Sequence, residues 1–164
     1  DTLRYVSALT ALHDIDPGNA VYFKMLIDHH SAQPDSVALH NFAVDELKRH
    51  ARNKQVWMLN GELAMKAKQW EKAIYYFKEA EKRDKVYVQA IYDVAICYAS
   101  WAQELTDSLN QQRKRLRKKD ALIVKGYYQQ ARQWLLKTSH LDEKQSIVEW
   151  KRVLDEVNKV LGLH

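Results

Sequence analysis

The sequence holds little that would punctuate or staple a chain: four Gly, two Pro and one Cys among 164 residues. So few turn formers argue against an all-β fold, whose many strands need tight turns between them. A lone Cys97 excludes an internal disulfide and a cysteine-based metal cluster. It stands between Ile96 and Tyr98 in an apolar helical pattern, the setting of a buried, inert thiol. No apolar run approaches the roughly 18 residues of a membrane span, and no segment has the layout of a signal peptide. Chemistry-bearing motifs are missing too. There is no Gly-rich phosphate loop, no G-x-S-x-G and no paired carboxylates in an apolar setting, so neither an enzymatic activity nor a cofactor is expected. Seven His are present, but no H-E-x-x-H or similar i, i+4 pair occurs. His29 and His30 are adjacent and point about 100° apart on a helix. No metal site is expected.

What the chain does have is helical periodicity, with 46% hydrophobic residues for a core and 29% charged residues for a hydrated surface. Residues 1–15 carry Tyr5, Leu9 and Leu12 at i, i+4, i+7, and the pattern stops at Asp16-Pro17-Gly18-Asn19. A second helix is expected from Ala20 to Ser31, with Tyr22, Met25, Leu26 and His29 on its inner stripe. Pro34 permits a turn, and Asp35 or Ser36 can cap a third helix that carries Ala38 and Phe42. The most regular stretch is 54–87. Trp57, Gly61 and Ala64 share one face of a first helix, and Ala73, Ile74, Phe77 and Ala80 share one face of a second. Only Ala67-Lys68-Gln69 separates the two, so they must lie antiparallel, and each leaves an apolar stripe that one pair cannot cover.

This order, Trp, Gly, Ala, Phe and Ala at those intervals, resembles a tetratricopeptide repeat (TPR), a 34-residue helix-turn-helix unit. The resemblance implies an all-α fold: a right-handed superhelix of antiparallel helix pairs, about eight helices in all. In that phase, 1–16 reads as the second helix of an incomplete repeat, 19–52 as a degenerate repeat and 54–87 as the regular one. The half-repeat at the start leads us to expect a piece of a longer protein. After 54–87, Ile91, Val94, Ala95 and Tyr98 begin another first helix, but Asp107 stands where the matching Ala should be. The match resumes at Ala131, Leu135 and Thr138, about 24 residues late, with no Gly or Pro between Ala99 and Lys125. The unit 88–142 is therefore read as a repeat whose two helices are each lengthened by about 12 residues. Such an antiparallel hairpin projects roughly 18 Å, with its tip near Arg113 to Leu116. Trp150, Val153, Leu154 and Val157 predict a final helix over 146–162, capping the open end of the stack.

TPR resemblance also implies a function class: a non-enzymatic protein-protein interaction module, or scaffold, whose first helices line a concave groove for a partner peptide or helix. Carried over in phase, the groove positions are Phe23, Ile27 and His30, then Met58, Glu62 and Met65, then Tyr92, Ile96 and Ala99. Chaperone-binding members clamp a C-terminal carboxylate with Lys, Asn and Arg. Here Met58, Glu62 and Asp93 stand at such places, which argues against a carboxylate-terminal ligand.

One further feature is local. The chain's formal charge is +5, yet Arg113, Lys114, Arg115, Arg117, Lys118 and Lys119 contribute six positive charges within seven residues. The other 20 basic residues face 21 acidic ones, so the remainder carries −1. A basic finger can engage nucleic acid or another polyanion. The tip lacks aromatics for base stacking, which makes nucleic acid the less favoured partner. A second copy of the chain is a further candidate, meeting the face where the incomplete repeat begins.

Overall fold

The computed structural model describes residues 1–112 and 117–164. These residues form eight α-helices and no strand: α1 (Thr2–Ile15), α2 (Ala20–Ser31), α3 (Val37–Arg49), α4 (Lys54–Lys66), α5 (Trp70–Arg83), α6 (Val88–Gln111), α7 (Lys118–Leu141) and α8 (Trp150–Val160). None is long and apolar enough to cross a membrane. Packing runs mainly between consecutive helices, so the buried side chains form a row of three clusters rather than one central ball.

Short polar side chains set the helix starts. Asp1 accepts a hydrogen bond from Leu3 N, Asn19 from Val21 N and Tyr22 N, and Asn53 from Gln55 N. Each satisfies an amide that the first turn leaves without an intrahelical partner. The turn between α4 and α5 is made by Lys68, whose φ of 55° lies in the left-handed region. Lys68 N donates to Met65 O and Gln69 N to Ala64 O, closing the end of α4 in the manner of a helix C-cap.

Gly61 lets α4 approach α5 over the ring of Phe77, in a central cluster with Ala73, Ala80, Ala90, Val94 and Cys97. Cys97 is fully buried, and desolvation, reinforced by Asp93, pushes its thiol up to about 12. It is the inert thiol expected. On the N-terminal side, Phe23, Ala43, Val56 and Leu59 form a second cluster. There the buried Asn60 side chain donates from α4 to Ala43 O at 3.0 Å and to Val56 O at 2.9 Å. On the C-terminal side, Ala95, Ala102, Tyr128, Ala131, Leu135, Val153 and Val157 join α6, α7 and α8.

Helices α6 and α7 have 24 residues each, as the inserted length requires. Trp101 stacks on Tyr127 with ring centroids 4.3 Å apart, and Tyr128 Oη donates to Gln103 Oε1 at 3.3 Å. Those partners set α6 and α7 antiparallel. The expected tip at Arg113 to Leu116 lies outside the described residues.

Two expectations need correction. In α2 the buried residues are Phe23 and Leu26, while Met25 is exposed and Tyr22 half-buried. In α3 they are Ala43 and Glu46, one residue beyond Phe42 and Asp45. The same rotation places Leu9 and His13, rather than Tyr5 and Leu12, on the inner face of α1. The cause is a buried polar pair: Glu46 takes a core position and His13 faces it. The second correction concerns α8, which starts at Trp150 and not at Ser146. The preceding residues wrap around Asp142, whose carboxylate accepts from Ser146 N, Ile147 N and Val148 N at 2.8, 3.1 and 3.0 Å.

Candidate functional site

The groove positions divide into two places. Phe23, Ile27, Met58 and Glu62 line a cleft of about 270 Å³ between α2 and α4, closed at one side by Tyr87. Phe23 and Met58 are nearly inaccessible there, so they form its floor, while Ile27 and Glu62 are its reachable walls. Ile96 lies elsewhere, in a larger cleft of about 740 Å³ between α6 and α8. Met65 and Tyr92 line neither. Met65 is half-buried against the central cluster, and Tyr92 against the C-terminal one.

Electrostatics links Glu62 to Asp93 of α6. Asp93, buried on α6, accepts from Gln89 Nε2 at 3.1 Å. Desolvation, reinforced by the nearby Glu62 carboxylate, pushes Asp93 up to about 7. Glu62 is exposed along one edge, yet desolvation also raises its carboxyl, with Lys66 pulling the other way. Neither acid lies within ion-pairing distance of a lysine or arginine among the described residues. Tyr87, between them, is pushed up to about 12 by burial first and then by Glu62, Asp84 and Asp93. Two carboxylates that repel one another in partly apolar surroundings favour whatever brings positive charge to them.

Of the larger cleft, only Ile96 and Ala99 were among the expected groove positions. One wall carries Ile96 and Ala99 of α6 with Tyr128 of α7, and the other Arg152, Val153 and Glu156 of α8. Glu104 and Asp107 stand at its α6 edge. Trp70 Nε1 donates to Glu104, Gln103 Nε2 donates to Asp107 at 2.8 Å, and Arg152 pairs with Glu156 at 3.0 Å. A helix read only as a cap thus supplies half of a cleft. The available signal was the strict division of α8 into Val153 and Val157 on one side and Arg152, Asp155, Glu156 and Lys159 on the other.

Family models, curated proteins and solved structures offer no match. The functional reading therefore rests on the geometry of this chain. Of the basic run, Arg117, Lys118 and Lys119 are exposed at the start of α7. Arg113, Lys114 and Arg115 lie outside the described residues.

Proposed function

We propose that the chain is a non-enzymatic protein-interaction module that holds a partner helix or extended peptide against α4 and α6. In this reading the helix pairs form a right-handed, TPR-like superhelix and the clefts are stretches of its concave side. Glu62 and Asp93 carry the proposal. Glu62 lines the cleft with Met58, Ile27 and Tyr87, Asp93 lies buried close to it, and neither acid makes an ion pair among the described residues, Lys24 of the same cleft being held by Asp28. Burying unpaired charge is costly unless a counter-charge compensates it. A partner with Lys or Arg set among apolar side chains supplies that counter-charge and covers the apolar floor, whereas an acidic peptide would add to the repulsion. Methionine and tyrosine on such a surface adapt to the shape of a partner.

Selection of random peptides displayed against the immobilised chain tests this reading. The expected winners are amphipathic and carry Lys or Arg beside apolar residues. Enrichment of acidic peptides would overturn it, and would instead favour the alternative, a polyanion-binding surface at 113–119. That alternative draws on the exposure of Arg117, Lys118 and Lys119. Its own signature is affinity that falls steeply from low to moderate salt.

A further inference from the structure

Away from the clefts, the ends of α1 and α3 meet in a polar knot. His13 lies in the last turn of α1, Glu46 in the last turn of α3, and His50 caps α3. Each offers a ligand atom, and the three atoms lie within 4.8 Å of one another. His13 and Glu46 are fully buried and His50 nearly so. His13 Nε2 and Glu46 Oε2 are 2.7 Å apart. Such a pair belongs in a core only if its remaining donors and acceptors are satisfied. Here they are not: His13 Nδ1 and Glu46 Oε1 are buried without a hydrogen-bond partner. Both atoms belong to the knot itself, so its polar groups are incompletely satisfied as it stands.

The surroundings agree. Asp14 Oδ1 accepts from His50 Nε2 at 3.0 Å, which leaves the lone pair of Nδ1 as that ring's acceptor. Carboxylates that hold the far nitrogen of a metal-bound His orient the ring and raise its basicity. Arg49 is the cation paired with the knot, shared among Asp14, Asp45 at 3.5 Å and Glu46 at 3.8 Å, while Lys48 and Arg52 border the neighbouring cavity. Three carboxylates against one guanidinium leave two negative charges when both imidazoles are neutral, the charge that a dication cancels. Helix C-termini, where α1 and α3 both end, add partial negative charge. Phe23 stacks on His13 at 5.5 Å and keeps one side dry. A cavity of about 390 Å³, bounded in part by Lys48, Arg49, His50 and Arg52, reaches His50 from the outer side.

The geometry points to a structural site for a divalent transition metal of the zinc type, with His13, Glu46 and His50 as its ligands. Two imidazoles and a carboxylate suit zinc, with bonds of about 2.0–2.2 Å and a fourth position open to water. Ligand atoms around such an ion lie about 3.3 Å apart. Closing the set therefore takes a rotation of His50, the least enclosed of the three. On binding, the hydrogen bond between His13 Nε2 and Glu46 Oε2 gives way to the ion, and the single proton of the neutral His13 ring moves to the nitrogen that faces away from it. The ion then clasps α1 to α3, two helices that are not neighbours in sequence. The reading of His positions along the chain gave no metal site because the three ligands come from two distant helices.

The test uses the full chain, stripped with a chelator and titrated with Co²⁺, followed by Zn²⁺ melting curves. One equivalent of Co²⁺ is expected to give the visible d–d bands of a low-coordinate nitrogen and oxygen site, and Zn²⁺ to raise the melting temperature. His50→Ala is expected to abolish both effects, Asp14→Asn to weaken binding about 10- to 100-fold, and His29→Ala to change neither. Absence of Co²⁺ bands in the unsubstituted chain overturns the site, whether or not any variant folds. Undiminished affinity in a folded His50→Ala chain overturns it equally.

Discussion

A Cβ placed on Gly61 of α4 would lie 2.5 Å from Cε1 and 2.7 Å from Cδ1 of Phe77 on α5. Phe77 is fully buried and has nowhere to move. The missing side chain at 61 and the ring at 77 are thus one feature, and they set the distance between the helices that carry the central cluster.

Gly61→Ala is therefore expected to destabilise the fold. Alanine gains about 1 kcal/mol in helix propensity over glycine, but overpacking a full core costs about 1–3 kcal/mol. The net loss should show as a lower urea midpoint with an unchanged slope. Combining Gly61→Ala with Phe77→Leu, which withdraws the ring, should lose less than the two single changes added together.

The shift of Asp93 fixes the sign of a pH effect. Its folded value of about 7 lies above the ordinary 3.8, so between these the folded state holds more protons than the unfolded one. Its contribution to stability is full below about pH 4 and is lost as pH rises to about 7. Asp93→Asn should match the unsubstituted chain at pH 4 and melt higher at pH 8. A cationic partner should show the opposite slope, binding more tightly as Asp93 ionises, and Asp93→Asn should flatten that dependence. Melting curves and titration calorimetry at several pH values check both.

Asp142 behaves in the opposite sense. Hydrogen bonds from Val148 N, Ile147 N and Ser146 N hold its carboxyl below the usual range against some desolvation. Its stabilisation is present at neutral pH and is lost as pH falls through the acid range. Trp150 Nε1 also donates to Asp142 O at 2.7 Å, so the loop and the start of α8 depend on one residue. Asp142→Ala should speed hydrogen exchange at the amides of 146–148 and in the first turn of α8, with α4 and α5 unaffected.

The helix framework was legible where local chemistry decides it. Helix α2 spans the residues read from the sequence, and Asp35, read as a cap, accepts from Val37 N at 2.9 Å. The length of α6 and α7 followed from uninterrupted helical pattern between Ala99 and Lys125. Leu9 and Leu26 were read correctly as inner positions of α1 and α2, but the face of α3 was misjudged by one residue because a charged Glu46 in the core looks, in sequence, like a surface position. Its partner His13 is 33 residues away, and no local pattern joins them. The start of α8 failed for the same reason: Asp142 caps amides four to six residues downstream through a loop that has no repeating period. Within the candidate site, Glu62 was legible as a groove position, but the contribution of Arg152 and Glu156 required knowing that α8 faces α6 across a cleft.

A partner site at Glu62 is tested most directly by the affinity of a display-selected basic peptide for three forms of the chain. Glu62→Lys replaces an exposed acid at the cleft wall with a base, and a second variant neutralises Arg113, Lys114, Arg115, Arg117, Lys118 and Lys119 to Gln. Calorimetry should find binding weakened at least about tenfold, or about 1.4 kcal/mol, by Glu62→Lys and preserved in the tip variant. Equal affinity for the unsubstituted chain and a folded Glu62→Lys variant would contradict a partner held at α4 and α6.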